Sequence, residues 1–230
     1  DVGENPPRGA IITYRLASAP EKPISLNFRN QAGEEIRTFT SRTADDPAIA
    51  KERRIAANTG WNRFVWDLQH APATKIAGED PPSKETIPGP FVAPGTYTVT
   101  LKAGDVEETR SFTVVKPSTI DTSQQDLDAQ YDLLLRIHRK IDSTAKTINR
   151  MRDLRLQLEG WEKRAEKLSG ATDVSNKAKT LKERSLELEK LLLVPDLRDG
   201  WADGINNGAR LYEKLTGLPA VPALGDYRPT

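Results

Sequence analysis

The chain has 230 residues, of which 37% are hydrophobic and 29% are charged, and its mean hydropathy is −0.60. This composition is too polar for one large compact globule and too apolar for a wholly disordered chain. Lys and Arg (34) nearly balance Asp and Glu (33), so no overall field draws the chain toward nucleic acid or anionic lipid. The absence of cysteine excludes disulfides, thiolate metal sites and cysteine catalysis. No run approaches the roughly 20 apolar residues of a membrane span.

Residues 1–117 carry the signals of short β-strands. Apolar and polar residues alternate in runs that turn residues separate, and no helical pattern lies between them. The predicted strands are Ala10–Leu16, Ile24–Phe28, Glu35–Phe39, Asn62–Leu68, Gly95–Leu101 and Glu107–Val115. Strands of this kind favour an antiparallel β-sandwich over a parallel sheet. Two long connections, 41–59 and 71–94, are expected to be exposed and partly mobile.

Residues 118–230 change to a helical period. Apolar residues recur at helical spacing from about Ser123 to Leu168 and keep phase across Gly160, so we predict one long helix. After a turn at Gly170, a second helix of about 20 residues is expected to run to Leu192 and to end before Pro195.

A short third helix is predicted at about 205–215, followed by an irregular tail over 217–230. The second helix can cover only half of the first. The apolar strip Leu133–Ile148 is therefore expected either to be covered by a partner chain or to be unusually exposed. The predicted fold class is α+β, with a sandwich domain at 1–117 and a helical hairpin or bundle at 118–230.

Carboxylates are the strongest catalytic candidates, and each has a simpler interpretation. Adjacent acids in the long loops, Asp45 with Asp46 and Glu79 with Asp80, are expected to be solvated charges and not the facing pair that a glycosidase needs. Asp67, at a strand end, is either one member of such a pair or a turn residue that accepts backbone amides.

Other catalytic and metal motifs are missing from the sequence. No G-x-S-x-G, phosphate loop or dinucleotide fingerprint occurs. Neither histidine, His70 nor His138, has a second metal ligand at helical spacing. We therefore predict no catalytic residue, no metal site and no cofactor.

Aromatic and basic residues complete the candidates. Trp66 is expected to fill the sandwich core, whereas Trp61 has no obvious partner on its strand face and is the one candidate ligand-binding residue, for a sugar ring. Basic residues crowd the long helix, at Arg136, Arg139, Lys140, Arg150, Arg152 and Arg155. Acidic residues nearly balance them, which predicts a mixed solvated face and no nucleic-acid partner.

Several runs resemble a known family. They are Asn5–Leu16, Gly60–Leu68 followed by Gly89–Val99, Arg150–Arg155 and Gly225–Thr230. Together they resemble the C-terminal region of large bacterial secreted proteins with a sortilin-like or BNR-repeat β-propeller, which are often labelled glycosyl hydrolases. The second run also resembles the Ig-like domain of the flagellar hook-capping protein, in which a G-x-N-x-x-x-W-D strand precedes a P-x-G-x-Y strand.

The resemblance implies an Ig-like or fibronectin type III-like fold and an extracytoplasmic setting. It implies that catalytic machinery, if present, lies in the propeller. It brings no catalytic residue to this chain, since Asn62, Pro94 and Gly95 match turn positions and Trp66 and Tyr97 match core positions.

A non-catalytic structural or interaction module is therefore the expected function. Its long helix is expected to contact the rest of its own polypeptide, another protein chain or a second copy. The alternative is a carbohydrate-binding accessory domain that uses Trp61.

Overall fold

The structure is a computed structural model that describes residue 3 and residues 7–42, 54–194 and 208–220. Its strands are β1 Ala10–Leu16, β2 Ser25–Asn30, β3 Glu35–Thr40, β4 Gly60–Trp66, β5 Gly95–Ala103 and β6 Val106–Val114. Its helices are α1 Pro81–Lys84, α2 Gln124–Ala165, α3 Thr172–Leu192 and α4 Leu211–Gly217, with a 3-10 turn at Leu218–Ala220. The predicted α+β class is confirmed.

The chain divides into two compact units. The first contains residues up to Ala71 together with Gly89–Tyr131, and the second contains Pro72–Pro88 together with Asp132–Pro229. The connection 71–94 is thus divided between them. Each unit is considered by itself below.

The first unit contains two antiparallel sheets. One pairs β1 with β4, and the other has the order β3-β2-β5-β6. Tight turns join β2 to β3 and β5 to β6. Gly33 and Gly104 adopt φ values of +79° and +61° there, in the left-handed region that glycine enters without steric cost.

One aromatic core joins the two sheets. Trp66 of β4 is fully buried and stacks on Phe28 of β2, with ring centroids 4.5 Å apart. The rings of Phe64 of β4 and Phe39 of β3 also meet across the core, with centroids 4.7 Å apart and planes tilted by 53°. Along β1 and β4 buried side chains alternate with more exposed ones, so this sheet buries one face.

The long helix is continuous, as predicted, and includes Gly160. Ser123 begins it: the amide of Asp126 donates to Ser123 Oγ at 3.1 Å, and the Ser123 hydroxyl donates to the Asp126 carboxylate at 2.7 Å. After α2, Gly170 turns the chain with φ +83° into α3.

α2 and α3 form an antiparallel hairpin. Lys182 Nζ lies 2.7 Å from Glu162 Oε2 near the turn, and Arg152 Nη2 lies 2.8 Å from Glu189 Oε1 further from it. Four buried residues at helical spacing form the seam between the helices: Leu158, Ala165, Ala178 and Ser185. Ser185 occupies the seam position that its spacing predicts.

The segment 72–88 packs on α2, so its expected exposure is wrong for the buried residues Ala73 and Ile76. The Thr74 amide and hydroxyl donate to Asp142 Oδ1 at 2.9 and 2.7 Å. The Ala77 amide donates to Asn149 Oδ1 at 2.8 Å. Side chains of α2 thus satisfy the backbone of an irregular segment, which hydrophobic periodicity cannot reveal.

This packing also corrects the expectation for the strip Leu133–Ile148. Ile141 and Ile148 are fully buried in a cluster that includes Ile76, Leu193 and Tyr212 of the same unit. The strip therefore needs no partner chain. The cover comes from the irregular segment 72–88, the residue Leu193 after α3 and the short helix α4.

Candidate functional site

Trp61 is exposed, as predicted, with 74% of its surface accessible. It lies on the outer face of the β1–β4 sheet, directly opposite Arg15 and two residues from Arg63. Another exposed aromatic of this unit, Phe91, pairs with Gln69, beyond the opposite end of β4. A sugar ring stacked on this face would therefore meet one indole flanked by arginines.

Asp67 has the contacts of a turn residue. The amide of Gln69 donates to its Oδ1 at 3.3 Å, and its Oδ2 lies 3.8 Å from Arg37 Nη1. These contacts match the second interpretation of Asp67, that of an acceptor within a strand-end turn. Asp45 and Asp46 lie outside the described residues.

The two histidines lie in different units and have different surroundings. His70 Nε2 and the Tyr131 hydroxyl form a hydrogen bond of 2.7 Å. His138 is half-buried on α2, where burial lowers its pKa and the nearby Asp142 carboxylate opposes that shift. Within residues 7–42, 54–194 and 208–220, no three His, Asp or Glu side chains are grouped to hold a metal ion.

Sequence reasoning missed an arginine network in the second unit. Glu189 of α3 is only 2% exposed and lies between Arg152 and Arg155 of α2. Arg152 Nε and Nη2 donate to Glu189 Oε1 at 2.9 and 2.8 Å. Arg155 forms an ion pair with the other carboxylate oxygen.

Arg152 also holds the segment 72–88. Its Nη1 and Nη2 donate to Asp80 Oδ1 and Oδ2 at 2.8 and 2.7 Å, a bidentate pair, and its Nη1 also contacts the Ala77 carbonyl. Arg152 and Arg155 therefore belong to a largely buried network, which corrects their expected place on a solvated face. One signal in the sequence could have revealed this network. Glu189 follows the seam residue Ser185 by four positions, which places it beside the seam and opposite Arg152 and Arg155.

Within the network, Asp80 and Arg152 each stabilise the charged form of the other. Burial acts to raise the pKa of Asp80, but the hydrogen bonds and charge of Arg152 outweigh it and hold that pKa below its ordinary value of 3.8. Hydrogen bonds to Asp80 and Glu189 raise the pKa of Arg152 still further. The cluster therefore acts as a structural clamp.

Acid should release this clamp. Because the folded-state pKa of Asp80 lies below its unfolded value, its stabilisation is complete above about pH 4 and is lost as pH falls through the folded pKa. We expect Asp80→Asn to lower the free energy of unfolding by about 1–2 kcal/mol at pH 7 and to flatten its decline below pH 4. Urea unfolding at pH 7, 4 and 3 measures this.

The control for this prediction is Glu79→Gln, which removes the adjacent exposed carboxylate. It should leave both the stability at pH 7 and the acid limb unchanged. Equal effects of the two variants would contradict a specific role for Asp80.

Most of the exposed large hydrophobic residues in the described part of the second unit lie on the hairpin. Large hydrophobic side chains remain about half exposed on both helices: Leu154, Trp161 and, just beyond α2, Leu168, with Val174, Leu181 and Leu188 on α3. We call these six residues the outer face. Contiguous apolar surface of this kind is typical of interaction sites.

Helix geometry places the five outer-face residues within α2 and α3 on one side of the hairpin, and Leu168 follows just after α2. In each helix an outer-face residue lies four positions before a buried seam residue, as Trp161 before Ala165 and Leu181 before Ser185. Moving four residues along a helix turns the side-chain direction by about 40° beyond a full turn, in the same sense in both helices. In an antiparallel pair, equal offsets fall on the same side of the seam.

No family model, no curated protein and no solved structure matches the chain. In the part of the chain that the structure describes, no helix is both long enough and apolar enough to cross a membrane.

Proposed function

We propose that the chain is a non-catalytic interaction module whose helical hairpin binds a partner through the outer face. The observation that carries this proposal is the exposure of six large apolar side chains beside a seam that is already closed. Trp161 and Leu181 are 54% and 53% exposed, although their helices bury Ala165 and Ser185 four residues later. Covering such side chains contributes about 25 cal/mol per Å² of apolar surface.

The sandwich is the scaffold in this proposal, with an Ig-like or fibronectin type III-like fold. Its two antiparallel sheets and buried Trp66 support that assignment. The resemblance of the strand motifs to secreted propeller proteins supports placing the module in a larger extracytoplasmic protein. This resemblance favours a scaffold that contacts the propeller of its own polypeptide.

Site-specific photo-crosslinking in the cells that make the protein tests the interaction role. A photoreactive amino acid at Leu181 should give one discrete covalent adduct. The same residue at Leu186, which is 41% exposed on the other side of the seam, should give none. Identical adduct patterns from the two positions, or no adduct from either, would refute the proposal.

A carbohydrate-binding module is the second candidate, and the exposure of Trp61 favours it. It requires binding on a glycan array that Trp61→Ala abolishes, because a stacked indole would supply most of the contact with a sugar ring. Titration with array hits measures this directly. An array without hits removes this candidate.

A further inference from the structure

We infer that the outer face binds an amphipathic α-helix of a partner protein, with an apolar stripe flanked by acidic residues. The inference rests on the proposed interaction function and specifies its partner. Its evidence is the spacing of the apolar residues, their levels along the hairpin and the charges that border them.

The spacing is that of a coiled-coil seam. On α2 Leu154 and Trp161 are seven apart, Leu168 follows seven residues later just beyond the end of α2, and on α3 Val174, Leu181 and Leu188 are seven apart. A helix docked along such residues meets an apolar contact on every second turn of each neighbour. The stripe from Val174 to Leu188 on α3 is about 21 Å long, which suits about four turns of a partner helix.

The ion pairs of the hairpin show which outer-face residues of α2 and α3 lie side by side along its axis. Lys182 contacts Glu162, so their neighbours Leu181 and Trp161 lie at one level. Arg155 contacts Glu189, which places Leu154 beside Leu188 in the same way. The apolar side chains thus form paired steps with a shallow groove between the helices, and this is the contact surface that a third helix uses.

Charges border the groove on both sides. Moving around each helix away from the seam, the next positions beyond the outer face form a rim. The six rim positions are Arg150, Gln157 and Arg164 on α2 and Lys177, Arg184 and Leu191 on α3. Each of the six is exposed, four are cationic and none is acidic. Carboxylates on the flanks of a docked helix would therefore meet a cation on either side.

The same rim argues against a second copy as the occupant. A face-to-face dimer would bring Arg164 and Arg184 of one chain against basic rims of the other, and like charges at an interface disfavour association. The heptad spacing in turn favours a helix over a lipid surface, since a membrane places no demand for a seven-residue repeat on the side chains that enter it. A helix with acidic flanks satisfies both observations.

Two synthetic peptides test the inference against the full chain. Each is about 21 residues long, or three heptads, with leucine at a and d; one carries glutamate at e and g, the other lysine. Fluorescence anisotropy of labelled peptide should show binding of the glutamate peptide, and binding of the lysine peptide on the order of tenfold weaker. Equal affinity for the two peptides, or no binding of either, would overturn the inference.

Matched variants locate the binding. Leu181→Asp should weaken the glutamate peptide about tenfold or more, whereas Leu186→Asp makes the same change on the other side of the seam and should leave binding unchanged. Far-UV circular dichroism checks that both variants keep their helices. The double variant Arg164→Glu with Arg184→Glu should reverse the preference toward the lysine peptide; an unchanged preference would overturn the role of the rim.

The other occupants are decided by two further measurements. A concentration-dependent dimer in light scattering that Leu181→Asp abolishes would replace the partner helix by a second copy. Co-sedimentation with vesicles of phosphatidylglycerol and phosphatidylcholine that Leu181→Asp abolishes, without peptide binding, would replace it by a lipid surface. If crosslinking from Leu181 succeeds and both peptides fail, the interaction function stands and only the acidic-helix inference is lost.

Discussion

Replacing Trp66 with alanine is expected to lower the free energy of unfolding by about 3–5 kcal/mol. Trp66 is fully buried, stacks on Phe28 at 4.5 Å and makes edge contacts with Tyr97 and Phe112 at centroid distances of 6.1 Å each. These partners belong to the other sheet, so the indole joins the two layers. Its removal leaves a cavity that rigid strands on both sides cannot close.

The indole also satisfies a buried backbone group. Trp66 Nε1 donates to the Gln69 carbonyl at 3.1 Å, and this bond holds the chain where it leaves β4. Trp66→Phe keeps an aromatic ring in the stack but loses this hydrogen bond, so we expect an intermediate loss of about 1–3 kcal/mol. The free energy of unfolding should rise from Trp66→Ala to Trp66→Phe to the wild type. The first difference reports the packing of the ring, and the second includes the hydrogen bond.

Trp61→Ala is the control, since it removes the same side chain from the same strand. Trp61 is 74% exposed, so we expect its loss to change the free energy of unfolding by no more than about 0.5 kcal/mol. Urea denaturation followed by far-UV circular dichroism measures all three variants. A loss in Trp61→Ala as large as that in Trp66→Ala would contradict the assignment of inner and outer faces to β4.

The strands were predictable because burial on one face imposes a period of two. The observed β1 coincides with the predicted Ala10–Leu16, and the other strands differ by one or two residues at their ends. α2 was predictable for the same kind of reason, since its stripe repeats over 42 residues and continues through Gly160. Both predictions rest on the period of the apolar residues and not on the identity of single residues.

The segment 72–88 could not be predicted because its contacts have no period. Ile76 is buried by a fold of the chain that brings it to Ile141 and Ile148, more than 60 residues away. Polar side chains of α2, Asp142 and Asn149, then replace the secondary-structure partners that the loop backbone lacks. A proline- and glycine-rich composition is typical of exposed connections, and it conceals this second role.

The sequence predicts an uncovered apolar stripe on α2 but not its position along the helix. An apolar excess on α2 was foreseen at Leu133–Ile148, where Ile141 and Ile148 are buried, and it is exposed instead at Leu154 and Trp161. Sequence spacing gives the stripe of a helix but not which part of that stripe another segment covers. That choice depends on where the loop docks, and Arg152 marks that place.

Glu189→Ala is expected to lower the free energy of unfolding by about 3–5 kcal/mol, the second large effect. The glutamate is 2% exposed, and the side chains of Arg152 and Arg155 beside it are 16% exposed. Without it, two guanidinium groups stay largely buried, and Asp80 alone opposes them through Arg152. A buried charge without its partner destabilises the protein by more than the intact ion pair stabilises it.

Two comparisons make this prediction decisive. Glu187→Ala removes an exposed glutamate of the same helix, two residues earlier, and should change stability by no more than about 0.5 kcal/mol. Glu189→Leu combined with Arg152→Met, Arg155→Met and Asp80→Asn removes all four charges of the network and should recover much of the loss, since uncharged groups of similar volume replace a buried ion cluster at little cost. If that quadruple variant is no more stable than Glu189→Ala, lost packing and not stranded charge explains the effect, and the network is not the clamp of the hairpin.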